Sequence, residues 1–228
     1  MIAVAFALPA ESSDFVNLIE DKDRTSRGIV GRLHGKEICV LHIGVGARVA
    51  NDRLGAFFSD PPLPRLMISA GFAGALDDQL AIGDVLLAEN FSDPQPAAAV
   101  QIENVRRGKL VTADVVLDSP KDRQRLARTS GALAVDMETQ IVHASCRLLG
   151  VPMLSLRAIT DTPRFPFPAP PRVLFDIETQ RTNAMRLTSY LMAHPRAVPK
   201  LIAFSRHVAT ARRSLTNALA QLLRAALV

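Results

Sequence analysis

The residues Asp136-Met-Glu-Thr-Gln-Ile-Val-His-Ala-Ser-Cys-Arg-Leu-Leu149 are followed, after one glycine, by Val151-Pro-Met-Leu-Ser-Leu-Arg-Ala-Ile-Thr160. We interpret the first run as a helix and the second as a buried strand that ends at Asp161. A helix that leads directly into a predominantly apolar strand is typical of folds in which helices cover a largely parallel sheet. This stretch therefore assigns the chain to the α/β class.

The same alternation of elements continues towards the start of the chain. Strands are predicted at residues 2–8, 66–70, 82–89 and 109–117, and a β-hairpin at 28–33 and 37–43. Helices are predicted at residues 11–20, from the glycine-containing segment after His42 to Phe58, and from Ser119 to Arg128. Together these elements predict a three-layer α/β/α domain with a mixed, largely parallel central sheet.

The composition is that of an ordinary globular protein. The chain has 228 residues, 48% hydrophobic and 21% charged, which suffices for one sizeable core. Cys39 and Cys146 lie in separate apolar stretches and are interpreted as reduced core residues. The histidines show no ligand-like spacing, so no metal is expected. The segment His42-Ile-Gly-Val-Gly-Ala-Arg48 lacks the third glycine of a dinucleotide-binding motif, so no cofactor is expected.

The first ten residues are apolar but do not resemble an export signal, because no basic residue precedes the apolar run. Their length favours a buried strand. No other run approaches the length of a membrane span. Since a disulfide pattern is also missing from the sequence, we expect the protein in the cytoplasm.

The C-terminal region differs from the rest in its charge. No acidic residue follows Glu178, whereas eight basic residues do. From Pro199 onward apolar residues recur at steps of three and four, which predicts one face of a long helix: Leu201, Phe204, Val208, Ala211, Leu215, Ala218, Leu222 and Ala225. We divide the chain into an α/β domain at 1–195 and a C-terminal helical extension at 196–228. The helix of this extension is suited to bind an anionic membrane surface, to pack on its own domain or to pack on a second subunit. A nucleic-acid partner is not expected, because the sequence has one tyrosine, no tryptophan and no recognition motif.

Carboxylates stand where an α/β sheet gathers its functional groups, at strand ends and helix starts. They are Glu11, Asp136, Glu138 and Asp161. Each also has a structural interpretation. Asp136 can be interpreted as a helix N-cap, and Glu138 as an acidic residue in the first turn of the same helix. Asp161 can be interpreted as a cap of the turn before Pro163, and Glu11 as a solvent-facing residue in a first helical turn.

Five segments in order resemble the methylthioadenosine/S-adenosylhomocysteine nucleosidases and their nucleoside phosphorylase relatives. They are Phe6-Ala-Leu-Pro-Ala-Glu11, Gly44-Val-Gly-Ala-Arg-Val-Ala50, Ile68-Ser-Ala-Gly-Phe-Ala-Gly-Ala-Leu76 with Ile82-Gly-Asp-Val85, Ala134-Val-Asp-Met-Glu138, and Arg157-Ala-Ile-Thr-Asp161. The resemblance covers residues 2 to about 162. It implies a homodimeric enzyme that cleaves the bond between a purine base and a ribosyl group.

The resemblance also implies residue roles. Asp161 would deliver a proton to N7 of the base, for which it must be held partly protonated by burial or a neighbouring charge. Glu11 would activate the attacking water. Glu138 would bind the sugar hydroxyls, and Met137 would lie against the ribose. The implied substrate-binding set is Gly71, Phe72, Val116, Leu117, Asp136, Met137 and Glu138, with the backbone at Val116 and Leu117 reading the purine edge.

Water is favoured over phosphate as the nucleophile. Many phosphorylases carry an arginine before the glycine pair, whereas Ser69 and Ala70 precede Gly71 in this sequence. Glu11 would also repel a phosphate dianion. Phe72, however, stands where the nucleosidases commonly have a small polar residue.

The chain from Leu191 to Leu219 resembles the ending of the phosphorylase subfamily associated with hopanoid biosynthesis. That resemblance implies the release of adenine from adenosylhopane. The proline-rich residues 162–171, with Phe165 and Phe167, suit the wall of a channel for a large apolar 5′ group, although they also suit a plain connecting loop. Alternative hypotheses for the function are a phosphate-dependent phosphorylase, a methylthioadenosine/S-adenosylhomocysteine nucleosidase, and a non-catalytic nucleoside- or lipid-binding protein.

Overall fold

The computed structural model describes residues 1–117, 119–170, 173 and 184–225. Its strands are β1 (Ile2–Phe6), β2 (Glu20–Thr25), β3 (Gly28–Leu33), β4 (Lys36–His42), β5 (Leu66–Ala75), β6 (Val85–Ala88), β7 (Val105–Gly108), β8 (Leu110–Thr112), β9 (Ala134–Asp136) and β10 (Met153–Asp161). Its helices are α1 (Pro9–Asn17), α2 (Ala47–Ser59), α3 (Pro94–Ala98), α4 (Pro120–Ser130), α5 (Thr139–Leu149), α6 (Ala184–Ala193) and α7 (Ala197–Arg224).

The strands form one mixed sheet in the order β2-β3-β4-β1-β5-β10-β6-β7. Strands β4, β1, β5 and β10 at its centre are mutually parallel. Strand β9 pairs with the end of β5 and continues to β8. The predicted α/β class with a mixed, largely parallel central sheet is confirmed. The carboxyl ends of β1, β5 and β10 lie together, and this is the edge at which parallel sheets place their sites.

Helices cover both faces of the sheet, which explains why the central strands place apolar side chains on both of their faces. On one face, Leu54 of α2 and Val142 of α5 pack against Ala3 and Leu41 of the strands. On the other face, Phe15 of α1 and Leu215 of α7 belong to the cluster built on β1, β5 and β10. Helices therefore flank the sheet on both faces, as the predicted three-layer arrangement requires.

Helix α7 supplies part of this covering layer. Its predicted apolar face is buried at Ala211, Leu215, Ala218 and Leu222, half-buried at Leu201, Phe204 and Val208, and exposed at Ala225. The buried half packs on β10 and α1. The alternative in which this helix packs on its own domain thus holds for residues 211–223. The division at residue 195 stays a prediction, and Pro171 of the proline-rich segment lies outside the described residues.

Several predicted bounds were wrong. Helix α1 ends at Asn17 instead of residue 20, and β2 follows it; its six residues are all exposed charged or polar groups without alternation, so no strand pattern was visible. Helix α5 begins at Thr139, because Asp136 is the last residue of β9. Helix α2 begins only at Ala47, after the two positive-φ residues Gly44 and Gly46. None of the helices in the described part of the chain is long and apolar enough to cross a membrane.

Candidate active site

Glu11 lies in the first turn of α1, directly beyond the end of β1, and its side chain is buried. Its Oε2 accepts hydrogen bonds from the backbone N–H groups of Ala7 (2.9 Å) and Leu8 (3.1 Å), and its Oε1 accepts from Phe72 N–H (3.3 Å). Burial raises the pKa of this carboxyl above its ordinary value, although the N–H donors oppose the shift. The solvent-facing interpretation of Glu11 is therefore wrong.

Glu138 stands between the end of β9 and the start of α5, and it is also buried. Its Oε1 accepts a hydrogen bond from the N–H of Gly46 (3.3 Å). Gly46 has a φ of 90°, a conformation that glycine adopts without strain, and it directs its N–H at the carboxylate from the start of α2. Burial, followed by the negative charges of Asp136 and Glu11, raises the pKa of Glu138 to about 8.

Arg157 of β10 is buried among these carboxylates. Its Nε donates to Oδ2 of Asp136 at 2.9 Å, and its Nη2 donates to the hydroxyls of Ser69 (2.8 Å) and Thr139 (2.6 Å). Its Nη1 donates to the carbonyl of Leu156. Every nitrogen of the guanidinium is thus engaged. Asp136 also accepts the backbone N–H of Thr139, so it supports the start of α5 as a capping residue would, from the end of a strand.

A small recess lies between these groups. It is lined by Ala5, Ala7, Glu11, Ile43, Ser69, Ala70, Gly71, Phe72, Glu138 and Arg157. The structure therefore brings together Glu11, Gly71, Phe72 and Glu138 of the sequence-predicted set. Asp136 does not line the recess but holds Arg157, which does.

Asp161 ends β10 and is fully buried, yet it does not line this recess. Its Oδ2 forms an ion pair with Arg123 Nη2, and its Oδ1 accepts a hydrogen bond from the Thr160 hydroxyl (2.8 Å). Gly74 faces this pair, because a Cβ at that position would lie 2.7 Å from Oδ2. The interpretation of Asp161 as a cap for the turn before Pro163 has no support in these hydrogen bonds.

The remaining predicted site residues lie in the segments around this edge. Val116 and Leu117 are half-buried in the loop between β8 and α4, and the carbonyl of Leu117 accepts a hydrogen bond from Arg123 Nε (2.9 Å). Met137 is half-buried between β9 and α5. Their contacts with a substrate stay predictions.

Two functional candidates were missed from the sequence, Arg157 and Arg123. Arg157 carried a signal, because an arginine inside an otherwise apolar strand needs a buried acidic partner. Arg123 carried none, since α4 is a polar helix in which an arginine is expected to face solvent. Among the residues that the structure describes, no three histidine, cysteine or carboxylate side chains are grouped as a metal site would require.

Known proteins share this architecture. The methylthioadenosine/S-adenosylhomocysteine nucleosidase of Staphylococcus haemolyticus is 24% identical over 200 residues, covering 71% of this chain and 86% of that protein. The structure of the S. pneumoniae nucleosidase of the same name, with the transition-state inhibitor MT-ImmA, matches with a TM-score of 0.72 and 18% identity over 98% of each chain. Futalosine hydrolase of Helicobacter pylori matches with a TM-score of 0.68 and 16% identity, over 97% of this chain and 96% of that one.

The family comparison extends over most of the sequence. The model of the phosphorylase superfamily matches residues 2–97 and 94–193, which include every strand and all the carboxylates described above. The segments that carried the resemblance lie within these ranges. The chain belongs to the phosphorylase superfamily.

Proposed function

We propose that this protein is a purine nucleosidase that hydrolyses the N-glycosidic bond of a 5′-substituted adenosine and releases adenine. The observation that carries the proposal is the buried carboxylate of Glu11, which faces the side-chain-free wall at Gly71 beside the second buried carboxylate, Glu138. The recess that these groups line is about large enough for one water molecule beside the Glu11 carboxylate. The names of the related proteins, nucleosidases and a hydrolase, favour the same chemistry.

Glu11 is suited to be the general base. Burial raises its pKa, and a carboxylate with a raised pKa takes a proton from water more readily than an ordinary one. Three backbone N–H groups hold its oxygens in place. The side chain therefore needs no reorganisation when it accepts the proton.

Charge disfavours phosphate as the nucleophile. A phosphate dianion needs several unoccupied cationic donors, and Arg157, the cation lining the recess, already donates four hydrogen bonds, which leaves one of its five N–H groups. Glu11, which must be ionised to act as the base, would add repulsion in a water-poor site. Neutral water meets neither obstacle.

The reaction then balances as follows. The water oxygen bonds to C1′ while the bond from C1′ to N9 breaks, and Glu11 accepts the proton of the water. The electron pair of the broken bond goes to the purine, which receives a proton at N7 from Asp161 and leaves as neutral adenine. General-acid assistance of this kind typically contributes roughly 10²–10⁴ in rate. Glu138 and Met137 would hold the sugar, and the backbone at Val116 and Leu117 the base.

The 5′ group of the substrate is proposed to be large and apolar, as in adenosylhopane. The segment directly after Asp161 packs aromatic rings on the C-terminal helix: Phe165 on His207, with ring centres 5.5 Å apart, and Phe167 on Phe204, at 5.1 Å. This apolar wall begins four residues from the proposed acid. The rival substrates are methylthioadenosine and S-adenosylhomocysteine, named for the related nucleosidases.

We further propose a cytoplasmic homodimer that contacts an anionic membrane through α6 and the first half of α7. These helices expose Met185, Met192, Val198 and Ile202 in a region without acidic residues. Light scattering measures the oligomeric state. Co-sedimentation with phosphatidylglycerol vesicles, compared with phosphatidylcholine vesicles, measures the membrane contact.

The test of function is adenine release, followed by chromatography with and without phosphate. The substrates are methylthioadenosine, S-adenosylhomocysteine, inosine and an adenosine with a bulky apolar 5′ group. We expect adenine to appear without phosphate and to be lost in Glu11→Gln and Asp161→Asn. Glu20→Gln, an exposed glutamate, is the matched control and should retain full activity.

Each other outcome selects a rival. A strict requirement for phosphate would establish a phosphorylase and remove Glu11 as the base. If methylthioadenosine is turned over fastest, the proposal of a large apolar 5′ group is replaced by one of a methylthio group. Ligand binding without base release from any substrate would favour the non-catalytic binding protein.

A further inference from the structure

Arg123 is a buried arginine in a helix that is otherwise polar. Arg123 is 1% exposed. The structure describes every residue of α4, and Arg123 is the only buried one among them. The exposed Arg125, two residues later, instead pairs with Asp122 at the surface. Helix α4 is thus anchored to the domain through a buried charged group, in addition to the half-buried Leu126 and Ala127, which pack near Leu76 and Val135.

The guanidinium of Arg123 joins three separate segments. Its Nε donates to the carbonyl of Leu117 in the loop after β8, at 2.9 Å. Its Nη1 donates to the carbonyl of Ala75 at the end of β5, also at 2.9 Å. Its Nη2 pairs with Oδ2 of Asp161 at the end of β10. Two of these three segments are the ones that the proposed function places against the base.

Burial of such a pair is expensive, because both ions lose their hydration. Replacement of a buried ion pair by apolar side chains of similar volume often leaves a protein equally stable or makes it more stable. A contribution to stability is therefore a weak explanation for the pair. A requirement for one defined arrangement of Asp161 is a better one.

We propose that Arg123 is a positioning residue of the base-release step. Its guanidinium determines which oxygen of Asp161 carries the transferred proton, and it fixes the backbone of Leu117 beside that carboxyl group. A guanidinium donates and never accepts, so Oδ2 has to remain the unprotonated oxygen. A proton that Asp161 passes to the base can consequently be carried only by Oδ1. There the Thr160 hydroxyl, which can both donate and accept, accommodates either form of the carboxyl group.

This inference rests on the proposed function, and its test separates the two. The variant is Arg123→Lys, which keeps the charge but loses the fork that reaches three acceptors. Two substrates with the same 5′-substituted ribosyl group are compared, one with adenine and one with p-nitrophenolate as the leaving group. Adenine needs a proton in order to leave, whereas p-nitrophenolate does not.

We expect Arg123→Lys to lower kcat/KM for adenine release roughly tenfold or more, within the range of a lost general acid. Release of p-nitrophenolate should change far less. Equal losses on both substrates would assign Arg123 a merely structural role, and unchanged adenine release would overturn the inference outright. Arg125→Lys is the matched control on the same helix and should resemble the wild type on both substrates.

A double-mutant cycle closes the test. If Arg123 acts through Asp161, adding Arg123→Lys to Asp161→Asn should cause no further loss of the residual adenine release, which is measured with a high enzyme concentration and long incubation. Additive losses would contradict the inference. A wild-type protein that releases neither leaving group would instead refute the proposed function, and the inference with it.

Discussion

Gly71 lies directly against the carboxylate of Glu11: a Cβ built on Gly71 would be 3.4 Å from both Oε1 and Oε2. A methyl group at this distance fits without a clash, but it occupies the space in which a water molecule would bind the carboxylate. We therefore expect Gly71→Ala to fold normally and to lose most of its adenine release. Thermal unfolding checks the folding, and adenine release from the same preparation checks the activity. Retained activity would mean that the attacking water does not bind between Glu11 and Gly71.

Gly74 has a different neighbourhood. A Cβ there would lie 2.7 Å from Oδ2 of Asp161 and 3.0 Å from Nη1 of Arg123, so the buried ion pair would have to move. We expect Gly74→Ala to lower the free energy of unfolding by about 2 kcal/mol or more, in the range for a disrupted buried pair. Chemical denaturation measures this loss.

The matched control for this substitution is Gly55→Ala. Gly55 lies inside helix α2, and apart from its chain neighbours and the backbone of its own helix, no atom of the described residues stands within 4 Å of the position that a Cβ would take there. Alanine is preferred to glycine in a helix interior by roughly 0.5–1 kcal/mol, so this variant should be slightly more stable than the wild type. Equal behaviour of the two variants would contradict the proposed crowding at Gly74.

Glu138 should make stability depend on pH. Its pKa is about 8 in the folded protein, against an ordinary value of 4.5, because of burial and the charges of Asp136 and Glu11, which Arg157 opposes only in part. Between these two pH values the folded state binds more protons than the unfolded chain, so the free energy of unfolding falls as the pH rises. The slope reaches at most about 1.4 kcal/mol per pH unit for this one group.

Denaturation of Glu138→Gln between pH 5 and pH 9, values that span the raised pKa, checks this expectation. The variant should have a flatter profile than the wild type and should gain relative stability towards the alkaline end. An exposed glutamate, replaced in Glu20→Gln, should leave the profile unchanged. Parallel profiles for wild type and Glu138→Gln would mean that the carboxyl titrates normally.

Lys36 fixes the end of the C-terminal helix. Its Nζ donates to the carbonyls of Leu223 (2.5 Å) and Ala225 (3.2 Å), which have no partner within the helix. Lys36→Met should lower the free energy of unfolding by about 1 kcal/mol, as expected for lost hydrogen bonds from a charged donor at a helix terminus. The exposed Lys109, changed to Met, is the comparison and should have no measurable effect.

The layered fold could be predicted because its strands and helices differ clearly in apolar pattern. The apolar run of β10 and the recurrence of apolar residues at steps of three and four in α7 could both be recognised in the sequence. Strand β2 was not, since its six side chains are all exposed and its pairing with β3 depends on backbone hydrogen bonds. The pattern of α7 also did not reveal its partner, because an apolar face fits a sheet, a subunit or a membrane equally well.

The candidate site was predictable in part for a similar reason. Glu11 and Glu138 follow strand ends that the topology brings together, and the structure places both at one recess. The neighbours of Asp161 were not predictable. Arg123 is distant in sequence and lies in a mostly polar helix whose apolar contacts are limited to Leu126 and Ala127, so no periodicity distinguishes it from the arginines at the surface.

The covering of the sheet by residues 211–223 has a consequence for biosynthesis. These residues are translated after every strand described here, so the part of this apolar face that α1 does not cover is open to solvent when β1 to β10 leave the ribosome. The chain can pair its strands during translation, but that part of the face stays exposed until residues 211–223 are made. A newly made chain therefore has a period in which chaperones can bind it, and a premature stop codon before residue 211 would leave the nascent protein as an aggregation-prone substrate for proteolysis.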